Sequence, residues 1–341
     1  MSDLSPKERI FRVFDKKAVD RPPVVCPGGM MNAAIVDVME NTGHTLPEAH
    51  HEPDLMAALS RDVSEGTGFE NYGVPFCMTV EAEVLGSDID FGTLQCEPKI
   101  KKELYKSVSE VQFKQTAAAL KSGRIETVAK AISRISEKQS DIPVIGSVTG
   151  PISTAASLVD PMTFLKELRK DKGNAHKVLD YVTDFLAAYA NVMIESGADI
   201  ISIGDPTATG EILGPKMFEE YAVPYINKLI DAIRRANAPV VVHICGKLSS
   251  VKQYVPMIRA QAISTDAMVN LRLLKEEYPS ITTMGNLSTY ILEFGDPEKV
   301  SKRTEALIED KIDIIAPACG LSTSSAIENI RALTETVKES G

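Results

Sequence analysis

The chain has 341 residues, 44% hydrophobic and 25% charged, with 21 glycines and 19 prolines, which excludes disordered, collagen-like and low-complexity proteins and leaves one large core or two ordinary domains. Its 37 Lys and Arg against 47 Asp and Glu give a formal charge of −10, a field that repels phosphate backbones and anionic lipid, so no nucleic acid partner is expected. No run approaches the ~20 apolar residues of a membrane span, and Met1 to Pro6 is polar rather than a leader, so a cytoplasmic protein without membrane contact is expected, its five scattered cysteines reduced.

In chain order, residues 5–14 read as a helix and 24–26 as a short strand, followed by a helix over 54–65 and a strand over 73–77. A hairpin is expected near 84–91 and helix over 108–138. From Pro143 onward, β-branched runs alternate with helical patterns: strands at 144–148, 200–203, 240–245, 262–265, 282–285 and 312–316, helices at 179–196, 215–237, 249–259, 297–310 and 324–339. Eight strands alternating with helices favour an α/β fold of the (β/α)8 TIM-barrel type over an open doubly wound sheet, and no glycine-rich dinucleotide fingerprint follows any strand. The helices of the first 140 residues are taken as accessory to the barrel, and no linker divides the chain, so residues 1–341 form a single domain in this reading.

The strongest chemical signal is Val240-Val241-Val242-His243-Ile244-Cys245-Gly246. Side chains at i and i+2 of a strand share a face, so His243 and Cys245 point together into the barrel while Val242 and Ile244 face the helices. The last predicted strand runs on to Cys319-Gly320, and strand ends surround one barrel mouth, so Cys319 can reach the pair from across it. One imidazole and two thiolates suit a borderline-soft ion, above all Zn2+, and three protein ligands leave a position open for substrate. The alternative is that all three are ordinary core residues, which is how Cys26, Cys77 and Cys96 are read.

Other polar groups fall at predicted strand ends. Asp205 and Asp266 are candidates to orient His243 or accept a proton, or else to cap helices and turns, and Asn286 reads more simply as a turn residue. Glu81 and Glu83 read as a solvated face, with completion of the metal's coordination as the alternative. The pair Met30-Met31 reads as gap-filling core or as an apolar surface at the mouth, and Gly28, Gly29 and Gly210 as hinges or turns.

At these residues the sequence resembles the uroporphyrinogen decarboxylase superfamily, in particular its methylcobamide:coenzyme M methyltransferase branch. The likeness runs from Pro6-Lys7-Glu8-Arg9-Ile10 and Val19-Asp20-Arg21-Pro22-Pro23 through Gly146-Ser147-Val148-Thr149-Gly150-Pro151 and Gly204-Asp205-Pro206 to His243-x-Cys245 and Cys319-Gly320, which match the branch's zinc positions. The decarboxylases hold porphyrin carboxylates with arginines soon after the first strand, whereas Pro27-Gly28-Gly29-Met30-Met31-Asn32 has none. The resemblance implies one zinc per chain, coenzyme M as thiol acceptor, a methylated corrinoid on a partner carrier protein as donor, and a place in methane formation from methanol. It also implies a site for the sulfonate of coenzyme M, for which Ser322 in the loop after the last strand and Lys247 are candidates; Ser322 as a plain helix cap is the alternative. Rival readings are a decarboxylase, a zinc methyltransferase using a folate donor and homocysteine, and a non-catalytic zinc- or corrinoid-binding protein.

Overall fold

The computed structural model describes residues 4–138 and 141–341, so Met1 to Asp3 of the polar start lie outside it. In chain order its strands are β1 (Tyr72–Val74), β2 (Asp88–Asp90), β3 (Lys99–Lys102), β4 (Val144–Thr149), β5 (Ile200–Gly204), β6 (Val240–Ile244), β7 (Ala262–Thr265) and β8 (Thr283–Met284). Six of them form a parallel sheet in the order β1-β4-β5-β6-β7-β8, and β2 with β3 forms a separate antiparallel pair.

The sheet closes through the two remaining expected strands. Val24 bridges Ile315 and Ile314 bridges Met284, both in parallel, while Glu70 N–H donates to the Val24 carbonyl on the other side. These segments are present as barrel staves held by single bridges rather than ladders. Proline explains the brevity at one of them: Pro22, Pro23 and Pro27 flank the first stave and remove the N–H groups a longer ladder would use.

Helices Pro53–Thr67 and Ile125–Ser136 occupy crossover places in the βα repeat, and the accessory helices of the N-terminal region are Pro6–Phe14, Val36–Thr42 and Val80–Leu85. The hairpin is displaced from the expected 84–91, because Val80–Leu85 is helical and ends on Gly86 in the left-handed conformation (φ 113°) before β2 begins. The stretch 108–138 is broken into Val108–Glu110, Thr116–Ala119 and Ile125–Ser136. Residues 249–259 hold only the 3-10 segment Lys252–Met257, which contains Pro256. The last helix is Ile327–Lys338, three residues later than expected.

Strand alternation sorts the barrel into two cores. Val144, Ile201, Val240, Val242, Ile244 and Ile263 face the helical layer. Ile145, Ile200, Val241, Ala262, Met284 and Ile314 form a separate interior cluster that takes in Ile10 and Val13 of the Pro6–Phe14 helix, with Phe11 and Phe14 packed beside it. That helix opens with a Ser5/Glu8 capping box. Arg9 then ties it to the barrel by pairing with Asp20 (2.7 Å) and Glu70 (2.9 Å), the latter also held by Arg21 (2.6 Å). The first helix is therefore a plug in the N-terminal end.

Candidate metal centre

Two residues further along each inward face, the apolar layer gives way to polar groups. Ile145 is followed by Ser147, Ile200 by Ser202, Val241 by His243, and Ala262 by Ser264, with Ser147 opposite Ser202 and His243 opposite Ser264 in register. Another step up brings Cys245, just beyond the end of β6, and Asp266, just beyond β7.

His243 is 1% exposed, Cys245 and Cys319 are half-buried, and the ligand atoms of the three lie within 4.8 Å of one another. Cys245 Sγ stands 3.3 Å from His243 Nε2 and 3.8 Å from Cys319 Sγ. A tetrahedral ion with metal–sulfur bonds of about 2.3 Å and metal–nitrogen bonds of about 2.0 Å would separate two sulfurs by about 3.8 Å and sulfur from nitrogen by about 3.5 Å. The residues present fit such an ion. Cys319 is pulled down by the hydrogen bond from Cys245, and the same contact pushes Cys245 up. A cation would let both ionise.

Sequence reasoning missed the partner of the imidazole. His243 Nδ1 lies 2.9 Å from Ser264 Oγ, so the second ring nitrogen meets a serine rather than Asp205 or Asp266. A serine on the inward face of the neighbouring strand leaves no pattern along the chain that names its partner.

Asp205 is 1% exposed, and its carboxylate is engaged by the start of a neighbouring helix. It accepts from the N–H groups of Ile152 (2.9 Å) and Ser153 (2.8 Å) and from the Ser153 hydroxyl (2.7 Å), capping the Pro151–Leu158 helix from the adjacent strand end, and burial lifts it to about 6. Asp266 accepts from the N–H groups of Met268 (3.0 Å) and Gly246 (3.4 Å) and so shapes the turn beside Cys245. Asn286 is a structural residue here: its amide donates to the carbonyls of Asp266 (2.8 Å) and Val269 (2.7 Å). Ser322 and Ser324 both donate to Glu293 (2.9 and 2.6 Å), which places a carboxylate where the sulfonate was expected. Lys247 is exposed and has no ion pair among the described residues.

The acidic pair after β1 is not a solvated face. Glu81 is buried, accepts from Thr149 N–H (2.7 Å) and hydroxyl (3.0 Å), and is lifted by burial to about 7. Glu83 accepts from buried Arg124, whose other nitrogens reach Cys77 Sγ (3.2 Å) and Thr79 Oγ1 (2.8 Å). Cys77 thus packs against a cation, Cys26 is buried in the core as expected, and Cys96 is exposed. The Pro27–Asn32 turn rests on the mouth. Gly29 has φ 58°, and a Cβ there would lie 2.6 Å from that of Ser147, so this glycine is a close-approach residue rather than a free hinge. Met31 joins the interior cluster, and Met30 lies over Gly204 and Gly320.

The sequence profile of the uroporphyrinogen decarboxylase family matches residues 5–340. The chain belongs to that family. Among its relatives is the methylcobamide:CoM methyltransferase MtbA of Methanosarcina acetivorans, 33% identical over 99% of both chains. The methylcobamide:CoM methyltransferase MtaA of Methanosarcina barkeri is 31% identical over 98% of this chain and 97% of its own. A solved methyltransferase from Methanosarcina mazei, 30% identical, superposes with a TM-score of 0.91 over 99% of both chains. A B12-independent methionine synthase from Shewanella, 13% identical, shares the fold with a TM-score of 0.56 over 93% of this chain and 98% of its own. The (β/α)8 barrel expected from the strand rhythm is the fold of this family member. No helix among the described residues is long and apolar enough to cross a membrane.

Proposed function

We propose that this chain is a single-domain cytoplasmic methyltransferase that moves the methyl group of a methyl-Co(III) corrinoid, presented by a carrier protein, to the thiol of coenzyme M. The observation that carries the reading is the His243, Cys245 and Cys319 triad, with the atom spacing of a tetrahedral ion, at the mouth of a barrel whose full-length relatives bear that name. Zn2+ held by these three residues would lower the pKa of an incoming thiol so that its thiolate exists at neutral pH. Sulfur then bonds to the methyl carbon, the carbon–cobalt bond breaks with its electron pair left on cobalt, and the products are methyl-coenzyme M and Co(I). The chain's own part is to hold two thiolates and a neutral imidazole, a donor set that brings a dication to zero charge and leaves the substrate sulfur electron-rich.

Of the two sulfonate candidates, Lys247 is favoured, because its ammonium has no ion pair among the described residues whereas Ser322 already serves Glu293. Half-buried Met30 and exposed Tyr290 and Phe294 supply apolar surface on that side of the barrel suited to a corrin and its carrier. The absence of arginine from Pro27 to Asn32 tells against the decarboxylase reading.

The test is anaerobic mixing of the zinc-loaded protein with methylcobalamin and coenzyme M, followed by the absorbance change from methyl-Co(III) to Co(I). Demethylation with coenzyme M but not homocysteine, lost on chelation, is expected. Zinc bound without any thiol-dependent discharge would overturn the reading in favour of a folate donor or a binding role. The further assignment to methane formation from methanol is tested with carriers charged from methanol or from methylamines; faster discharge of the latter would overturn it.

A further inference from the structure

Met31 and the serine beside His243 are not used by the reaction as written, yet they are joined to it. Ser264 is 0% exposed, and its hydroxyl has two side-chain neighbours: His243 Nδ1 at 2.9 Å and Met31 Sδ at 3.7 Å. A hydroxyl has one proton to give. If it is given to Nδ1, a neutral imidazole carries its own proton on Nε2, the nitrogen that faces Cys245 at 3.3 Å, and the ligand lone pair is lost. If it is given to the Met31 sulfur, the serine oxygen is free to accept from Nδ1–H, and the Nε2 lone pair points at the two sulfurs. Both His243 and Ser264 are buried, and the described side-chain contacts of the serine hydroxyl are these two.

We propose that Ser264, with Met31 behind it, is a positioning residue that holds His243 as the Nδ1–H tautomer through the relay Nδ1–H to Ser264 Oγ and Ser264 O–H to Met31 Sδ. This inference rests on the reading of His243 as a metal ligand, but it concerns the chain before any metal arrives. A neutral serine does this without adding negative charge beside two thiolates, as Asp205 or Asp266 in that place would have done. The register that sets His243 opposite Ser264 delivers the contact directly from the sheet.

The experiment uses the full-length chain, 15N-labelled at histidine, metal-free, reduced and at pH 8. Two-bond 1H–15N correlation reads the protonated nitrogen, and a His243→Asn variant assigns the signal. Nδ1–H is expected in the wild type. Ser264→Ala is expected to give a tautomer mixture and to raise the Zn2+ dissociation constant, measured against a competing chelator, by about 10- to 100-fold. Ser264→Thr, which keeps the hydroxyl, should restore both. Met31→Leu, which leaves the serine in place, should move the tautomer in the same direction with a smaller loss of zinc. An Nε2–H wild type, or an unchanged tautomer in Ser264→Ala, overturns the proposal, and an unchanged tautomer in Met31→Leu overturns the methionine's part. Should Ser264→Ala lower the urea midpoint enough to unfold the chain, the wild-type and Met31→Leu spectra still decide. Failure of the wild type to bind zinc would sink the metal reading and leave the tautomer result standing.

Discussion

The two ends of this barrel are built from the same strands and do opposite things. At the N-terminal end, Ile145, Ile200, Val241 and Ala262 close around Ile10 and Val13 of the plug helix in an apolar layer. Two to four residues along the same inward faces stand Ser147, Ser202, His243, Ser264 and Cys245. A barrel needs only one end to be packed as a core, and that frees the other to carry polar groups that packing alone would reject. The lesson is that here stability and chemistry are divided along each strand rather than between strands.

If that division holds, substitutions at one end should leave the property of the other untouched. The largest expected effect is at the mouth: Cys319→Ala should lower zinc affinity and thiol-dependent demethylation of methylcobalamin by about three orders of magnitude, while the urea midpoint stays that of the wild type. A large fall in the midpoint would mean that the triad also holds the fold together. Next is the floor: Ile10→Ala should cost about 2–5 kcal/mol in urea unfolding and leave the zinc dissociation constant unchanged.

A smaller effect sharpens the comparison by pH. Burial lifts Glu81 from 4.5 to about 7 and Asp205 from 3.8 to about 6, so the folded chain binds protons that the unfolded chain releases. Their contribution is fully present below the ordinary carboxylate values and is lost as pH rises through 6 to 7. The urea midpoint of the metal-free protein should therefore be lower at pH 8 than at pH 5, and Glu81→Gln should flatten that slope; an unaltered slope would show the titrating groups to be elsewhere. The smallest effect is expected of Ser322→Ala, whose KM for coenzyme M should change by less than about threefold, against about tenfold or more for Lys247→Ala. A reversal of that order would return the sulfonate site to the last loop.

The barrel is legible in the sequence because period-two runs ending in Gly, Pro or Asp recur with helices between them, and the i, i+2 rule alone places His243 and Cys245 on the inner face. What was hidden is of two kinds. Elements that depend on a few residues of local chemistry were misread: the helix ended by Gly86 looked like a hairpin arm, and the helix expected over 249–259 is reduced by Pro256 to a 3-10 segment. Contacts between strands were out of reach, because neither Ser264 against His243 nor Arg124 against Cys77 and Glu83 leaves a pattern along the chain. Asp205 shows the limit from the other side. Its place at a strand end suggested catalysis, and its actual partners are the free N–H groups of a neighbouring helix.

The plug helix has a kinetic corollary under the proposed function. With Ile10 and Val13 filling one end, small molecules reach His243 and the two cysteines only from the other, and a corrin delivered there by a carrier covers the same opening. Two substrates that share one entrance, one small and deep, the other broad and superficial, cannot arrive in either sequence with equal ease. The thiol must be in place before the carrier seats, and the methylated thiol can leave only after the carrier has gone, which makes the reaction an ordered ternary-complex mechanism by architecture alone.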